Sequence, residues 1–211
     1  MGIEHYYLFI ISGLLLNMTP GTDTFYILGR TISQGRNAGF MSILGTVSGA
    51  FAHTMFAVLG LSVLLAESVL AFSIVKWLGA GYLIYLGIKS LFSKGESAGS
   101  LAQLEKSALK KIYLNGFLTN LLNPKVALFY LAFLPQFIRG DNPYGGLPFL
   151  LLGLTFITTL TIWYTLMVLF SDLATRRMRQ NANISAYLNK LAGVIFIALG
   201  VKVLLSVKPA S

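Results

Sequence analysis

The chain has 211 residues, of which 55% are hydrophobic and only 11% are charged, and its mean hydropathy is +0.74. A soluble domain usually has about 25% charged residues, so this composition excludes an ordinary soluble protein and predicts a multispanning membrane protein. Cysteine is absent, which excludes thiol–disulfide chemistry and thiolate metal sites. The net charge of +9 is spread between apolar segments, which favours a role in membrane topology over nucleic-acid binding.

The first apolar segment, about residues 3–28, is interrupted by the polar sequence Asn-Met-Thr-Pro-Gly-Thr-Asp at 17–23. Pro20 has no backbone donor and Gly21 weakens the helix, so we expect the helix to break there. Non-helical backbone inside a membrane is stable only where protein or a water-filled cavity satisfies it. A simple proline kink is the alternative. Asp23 favours a cavity, because a carboxylate in hydrocarbon costs at least ~2.5 kcal/mol.

With this first segment, six apolar segments are long enough to cross a bilayer as helices, which takes roughly 20 residues each. They lie at about 3–28, 40–66, 69–92, 112–138, 147–171 and 187–207. The stretch 93–111 is rich in Ser, Gly and Lys, and we interpret it as a flexible linker. The predicted fold class is therefore an all-α membrane protein with a single integral-membrane domain over residues 1–211.

Lysine and arginine residues are concentrated in alternate loops, those that follow the first, third and fifth segments. These cations are Arg30, Arg36, Lys89, Lys94, Lys106, Lys110, Lys111, Arg176, Arg177 and Arg179. The opposite side has only Arg139, Lys202 and Lys208. Because cytoplasmic loops carry the excess of cations, the richer loops are predicted to lie inside the cell and both termini outside.

Two parts of the chain repeat each other. Residues 78–91 align without gaps with residues 191–204, and the shared pattern Leu-Gly-x-Lys includes Gly87 opposite Gly200. The first and fourth segments also match in kind, since a proline interrupts each of them. A repeat of three spans is inverted relative to the first copy, as in many secondary transporters that bind substrate at broken helices near mid-membrane. The sequence thus predicts two inverted three-helix repeats, about 1–92 and 112–207.

The fourth segment carries Asn123-Pro124-Lys125 in its interior. One interpretation of Lys125 is a lysine whose long stem lifts the ammonium towards the membrane surface. The other is a buried cation that is paired with Asp23 or with a substrate carboxylate, close to helix N-terminal amides that also favour anions. An amino acid carries a carboxylate and an ammonium a few ångströms apart. Groups of both kinds at the two breaks therefore predict a small zwitterionic substrate.

His53, in the second segment, is interpreted either as a proton relay or as a neutral histidine hydrogen-bonded between helices. Gly45 and Gly49 have the spacing of small residues that let two helices pack closely. The predicted substrate- and proton-binding residues combine His53 with the polar and proline positions of the two breaks. They are Asn17, Thr19, Pro20, Gly21, Asp23, His53, Asn120, Asn123, Pro124 and Lys125.

Residues 17–24, 76–87 and 116–125, followed by Phe-Leu-Pro-Gln-Phe at 133–137, resemble the signatures of the LysE/RhtB family of amino-acid exporters. The resemblance covers essentially the whole chain and implies a six-span bacterial inner-membrane protein that exports an amino acid or a close derivative by proton antiport. It is greatest to the homoserine, homoserine-lactone and threonine branch, although leucine exporters look alike. It also implies a homodimer. The family often has a second proline where this chain has Thr22, so the first break can differ in geometry.

Two other functions remain open from the sequence. A carrier for a divalent cation or another small solute is disfavoured by the lack of Cys and by only two His, although carboxylate and amide oxygens bind hard cations. A membrane enzyme or an assembly protein has no supporting motif. We therefore predict no enzymatic activity, no cofactor, no metal and no nucleic acid. The predicted partners are a small amino acid, protons, the lipid bilayer and a second copy of the chain.

Overall fold

The structure is a computed structural model that describes residues 2–62 and 106–171, with scattered helical positions between 74 and 92 and between 190 and 204. Its described residues are helical, with one isolated antiparallel bridge between Ile3 and Ile138 and no longer strand among them. The predicted all-α class is confirmed. Residues 93–105 of the predicted linker 93–111, and most of the third and sixth predicted spans, lie outside the described residues. Residues 109–111 of that linker are already helical, so the fourth span begins three residues earlier than predicted.

The first predicted span is two helices, α1 (Tyr6–Met18) and α2 (Thr22–Gln34). The chain between them is extended, because Pro20 cannot donate the next helical hydrogen bond. The sequence predicts that this broken span ends near residue 28, but α2 continues to Gln34. It ends at Gly35, whose φ of 84° is a conformation that other residues rarely adopt.

α3 (Arg36–Phe56) starts directly after Gly35, four residues before the predicted boundary, and continues through a π-helical turn to Leu61. The fourth span is again broken, into α4 (Leu109–Leu121) and α5 (Pro124–Leu128), and α5 continues as π- and 3₁₀-helix to Phe137. α6 (Leu147–Leu169) is the fifth predicted span.

Among the described residues, Arg36–Leu61 and Leu147–Leu169 are helices long and apolar enough to cross a membrane. The pair Leu109–Leu121 and Pro124–Phe137, bent by 47°, is a third span if it is counted as one broken helix. α1 is a shorter apolar helix. These helices support a membrane-embedded protein.

Two sets of backbone contacts define opposite ends of the bundle. At one end, Arg139 N–H donates to the carbonyl of Gly2 at 2.9 Å, next to the Ile3–Ile138 bridge. At the other end, the side chain of Gln34 exchanges two hydrogen bonds of 2.9 and 3.0 Å with the backbone of Ser107. The C-terminal end of α2 and the start of α4 therefore lie together, away from the residues that precede α1.

α3 and α4 approach so closely that their backbones touch. A Cβ placed on Gly45 would overlap the carbonyl oxygen of Tyr113, and one on Gly116 would lie 2.7 Å from the carbonyl oxygen of Ser42. At Gly49 a Cβ would lie 2.9 Å from Asn120. The predicted packing role of Gly45 and Gly49 is confirmed. Their absence of side chains brings Asn120, on α4, within reach of α2.

Candidate functional site

The two helix breaks meet, and the first contact between them is made by Lys125. Its Nζ donates to the carbonyl oxygens of Leu16 at 2.8 Å and Thr19 at 2.9 Å. In a continuous helix, the carbonyl of Leu16 would accept from the N–H of residue 20, which is proline and has none. A side chain from the second break thus replaces the hydrogen bond that the first break removes.

The second contact is made by Asp23, which is 4% exposed and lies in the first turn of α2. Its Oδ2 accepts from Nδ2 of Asn120 at 2.8 Å and from Nδ2 of Asn123 at 3.3 Å. The positive end of the α2 dipole also favours a carboxylate at this position. Its Oδ1 is buried and has no hydrogen-bond partner within the described part of the chain.

Asn123 connects the N-terminal ends of α2 and α5, which are the second halves of the two broken spans. Its Oδ1 accepts from the backbone N–H of Lys125 at 3.0 Å and so caps α5, where Pro124 is the first helical residue. Its Nδ2 donates to Oγ1 of Thr22 at 3.0 Å as well as to Asp23. Thr22, where the resembled family often has proline, therefore contributes a hydroxyl that holds the two breaks together.

Asp23 and Lys125 do not pair directly in the described residues, although the sequence had offered that pair as one possibility. The ammonium is bound by backbone carbonyls and the carboxylate by side-chain amides. Opposite charges are thus held separately, on two sides of one space. A lysine ammonium has three donors, of which two are used here, and the carboxylate retains a free oxygen.

That space is a small, partly open cavity of about 20 Å³, which holds roughly one water molecule. One part of its lining is polar, and consists of Asn17, Thr19, Gly21, Asp23, Thr24, Asn123 and Lys125. The other part is apolar or aromatic, and consists of Leu16, Val126, Phe156, Leu160 and Tyr164. Ligand pockets usually combine such an apolar wall with a few polar groups. The cavity therefore has the composition of a site for a small amphiphilic molecule, and it would have to widen to admit one.

Most of the predicted site residues are brought together. Asn17, Thr19, Gly21, Asp23, Asn123 and Lys125 line the cavity, while Pro20 and Pro124 form the breaks and Asn120 holds Asp23 from behind. Sequence reasoning missed the apolar wall from α6, whose residues 156, 160 and 164 share one helix face. α6 is apolar on all sides, so no pattern distinguished this face from the lipid-facing ones.

His53 does not line the cavity. Its ring stacks on that of Tyr130, with 5.5 Å between ring centres, and lies close to the backbone of Asn120 and Leu121. Among the described residues, neither the buried Nε2 of His53 nor the buried Oδ1 of Asn120 has a hydrogen-bond partner. Together with Oδ1 of Asp23, these are three unsatisfied polar atoms around Asn120. Such buried groups are uncommon and need a physical explanation.

The chain is similar to known membrane proteins over most of its length. Residues 14–207 match the family described as LysE type translocator. The chain belongs to this family. A protein of Bacillus subtilis (strain 168) called uncharacterized membrane protein YrhP is 36% identical over 208 residues, which cover 94% of this chain and 97% of that protein.

Other relatives of the translocator have similar coverage. The leucine efflux protein of Salmonella typhimurium (strain LT2) is 26% identical over 201 residues, which are 95% of each chain. An uncharacterized membrane protein of Vibrio cholerae serotype O1 is 31% identical over 204 residues, 95% of this chain and 96% of the other. No solved structure matches. The family is one of transporters, and the translocator is accordingly not an enzyme.

Proposed function

We propose that this translocator exports a small neutral amino acid, or a close derivative, across the bacterial inner membrane, with leucine, threonine and homoserine as candidate substrates. The observation that carries the proposal is the separate placement of Lys125 and Asp23 on one cavity. The name of the leucine efflux relatives supports amino-acid efflux as the activity. Hydrogen bonds from Lys125 to the carboxylate and from the ammonium to Asp23 would orient the amino acid in the cavity.

The substrate carboxylate would bind the remaining donor of Lys125. The substrate ammonium would bind Oδ1 of Asp23, which has no partner among the described residues. The apolar wall of Phe156, Leu160 and Tyr164 would receive the side chain. This arrangement suits a molecule with two adjacent charges and an uncharged side chain, because a third charge would face hydrocarbon groups without a partner.

Exchange with protons follows from the same carboxylate. If Asp23 holds either a proton or the substrate ammonium, but not both, then each inward proton displaces one substrate molecule. His53 is a second titratable group, close to Asn120, through which a proton would reach Asp23. Coupling to protons is therefore part of the proposal and needs no further cofactor.

Alternating access would require two halves that move against each other, and the described positions of the third and sixth predicted spans support an inverted repeat. A Cβ on Gly87 would lie 2.7 Å from the carbonyl oxygen of Gly193, and one on Gly200 would lie 2.8 Å from that of Ala80. In the repeat alignment Gly87 corresponds to Gly200, and Ala80 corresponds to Gly193. The two contacts are thus equivalent, as expected across a pseudo-two-fold axis. α1 and α4, the first halves of the broken spans, also have the same length of 13 residues.

The decisive experiment is counterflow of a labelled amino-acid panel in proteoliposomes, with and without an imposed pH difference. We expect exchange of at least one neutral amino acid, and we expect Asp23→Asn to abolish it while the protein is still inserted and monodisperse. Asp141→Asn is the matched control, because Asp141 is exposed in a loop, where its hydrogen bonds from Arg139 lower its pKa. A fully active Asp23→Asn protein would remove Asp23 from the mechanism. Transport of a divalent cation without amino-acid exchange would favour the alternative carrier function.

Homodimerisation remains a prediction from the family resemblance. The six-span topology with both termini outside is likewise a prediction, which maleimide labelling of single cysteines would test.

A further inference from the structure

The end of α1 is bound by a positive charge that belongs to the protein itself. Nζ of Lys125 lies 2.8 Å from the carbonyl oxygen of Leu16 and 2.9 Å from that of Thr19. Both oxygens are backbone atoms at the C-terminal end of a helix, where the dipole is negative. The ammonium therefore binds where a free cation would also be stabilised.

Both carbonyls lack a helical hydrogen-bond donor because of the local sequence. Leu16 has lost its helical partner because residue 20 is proline. Thr19 is extended, with φ −68° and ψ 115°, so its carbonyl leaves the helical path. Half-helix C-termini and unwound carbonyls inside transporters are known to coordinate monovalent cations such as Na⁺. The first break has the ligands of such a site.

Gly21 borders this site, and a Cβ added there would make an ordinary contact of 3.9 Å with Nζ of Lys125. Asp23 lies close enough to attract the ammonium without bonding to it directly. The carbonyls, the helix dipole and the neighbouring carboxylate all favour one positive charge at this position. A second cation beside it would be repelled.

We propose that the end of α1 is a binding site for a small monovalent cation, and that the tethered ammonium of Lys125 occupies it. The translocator therefore requires no free Na⁺ or K⁺ to hold its first broken helix in place. Removal of the tethered charge exposes a site for a free cation. Ammonium and methylammonium are the best probes because they reproduce the N–H donors of lysine, and Na⁺ and K⁺ test the carbonyl ligands alone.

The test is the melting temperature of purified Lys125→Ala protein in detergent, measured at equal ionic strength in choline, Na⁺, K⁺, ammonium or methylammonium chloride. We expect Lys125→Ala to melt lower than the wild type in choline and to recover by roughly 2–8 °C in at least one small cation. The wild type should melt at the same temperature in every salt. Lys125→Met, which fills the space without a charge, should melt low and show no recovery.

Lys110→Ala is the matched control, since Lys110 is an exposed lysine at the start of α4 and its loss should create no preference among cations. If Lys125→Ala is too unstable to purify in choline, its yield after extraction in methylammonium or choline becomes the measurement. A Lys125→Ala protein that melts at one temperature in all salts, or fails in all of them, overturns the proposal. Selective stabilisation of the wild type by Na⁺ also overturns it. No transport is measured, so the result is independent of the proposed substrate.

Discussion

At the scale of single residues, the two charged groups of the site bind groups that are distant in sequence. Lys125 binds the carbonyl of Leu16, 109 positions away, and Asn120 binds Asp23 across 97 positions. A buried polar group without such a partner would cost about 1–3 kcal/mol, and more if it were charged. The charged residues of the two breaks are therefore compatible with the membrane only when both breaks are folded against each other.

Asn120→Ala should destabilise the protein by about 2 kcal/mol, because it leaves Asp23 with the longer hydrogen bond to Asn123 alone. Thermal unfolding in detergent measures this loss. In an Asp23→Asn background the same substitution should cost clearly less, since the charge that Asn120 satisfies has gone. Equal costs in both backgrounds would show that Asn120 stabilises something other than Asp23. Asn37→Ala, at an exposed position in the first turn of α3, is the control and should be close to neutral.

His53→Phe separates the two interpretations of this histidine. Phenylalanine retains an aromatic ring against Tyr130 and removes Nε2, which has no hydrogen-bond partner among the described residues. If His53 only relays protons, the melting temperature should stay the same or rise, substrate counterflow should persist, and uptake or efflux driven by a pH difference should be lost. A fall in stability by more than about 1 kcal/mol, with pH-driven transport intact, would instead indicate a structural histidine.

At the scale of helices, the site depends on how closely α3 and α4 pack. Backbone atoms meet at Gly45 and Gly116, so no side-chain rotation can relieve a clash there. This contact places α4, and with it Asn120, against Asp23 on α2. Small residues with a packing role therefore determine the geometry of the charged site.

Gly45→Ala should reduce stability by about 3 kcal/mol or more, because the added methyl group would overlap the carbonyl of Tyr113 and force the helices apart. The yield of monodisperse protein and its melting temperature measure the effect. Gly60→Ala is the matched control, since Gly60 lies on the same transmembrane helix with nothing within 4 Å of the added methyl. If the two variants behave alike, close packing of α3 and α4 does not limit stability.

The sequence predicted the helix breaks because proline acts locally: it removes one hydrogen bond wherever it lies in a helix. It predicted the helix boundaries less well. Gly35 alone separates α2 from α3, and a glycine at a positive φ is not distinguished by hydropathy from the other glycines of the chain. The sequence did not identify the hydrogen-bond acceptors of Lys125 either, because carbonyls exposed by a break and a distant carboxylate are both suitable. The tertiary arrangement decides between them.

At the scale of the whole molecule, the described helix ends can be compared with the topology that the loop charges predict. The end that contains Gln34 and Ser107 also contains Arg36, which donates to the carbonyl of Leu169 at 3.1 Å. The opposite end contains Gly2 and the loop that follows Phe137. The described residues that border the cation-rich loops, Arg36, Ser107 and Leu169, thus lie at one end, and the positive-inside rule predicts that this end faces the cytoplasm.

This orientation is testable with single cysteines, because the chain has none of its own. Asp141→Cys places a thiol in the exposed loop after Phe137, and Lys106→Cys places one at the exposed start of the α4 region. In intact cells, a membrane-impermeant maleimide should label Asp141→Cys strongly. It should label Lys106→Cys only after the membrane is permeabilised. The cysteine-free wild type gives the background, and labelling of both variants after permeabilisation shows that each thiol is accessible. Reversed labelling would show that the predicted orientation in the membrane is wrong. Labelling of both positions in intact cells would contradict an odd number of spans between them.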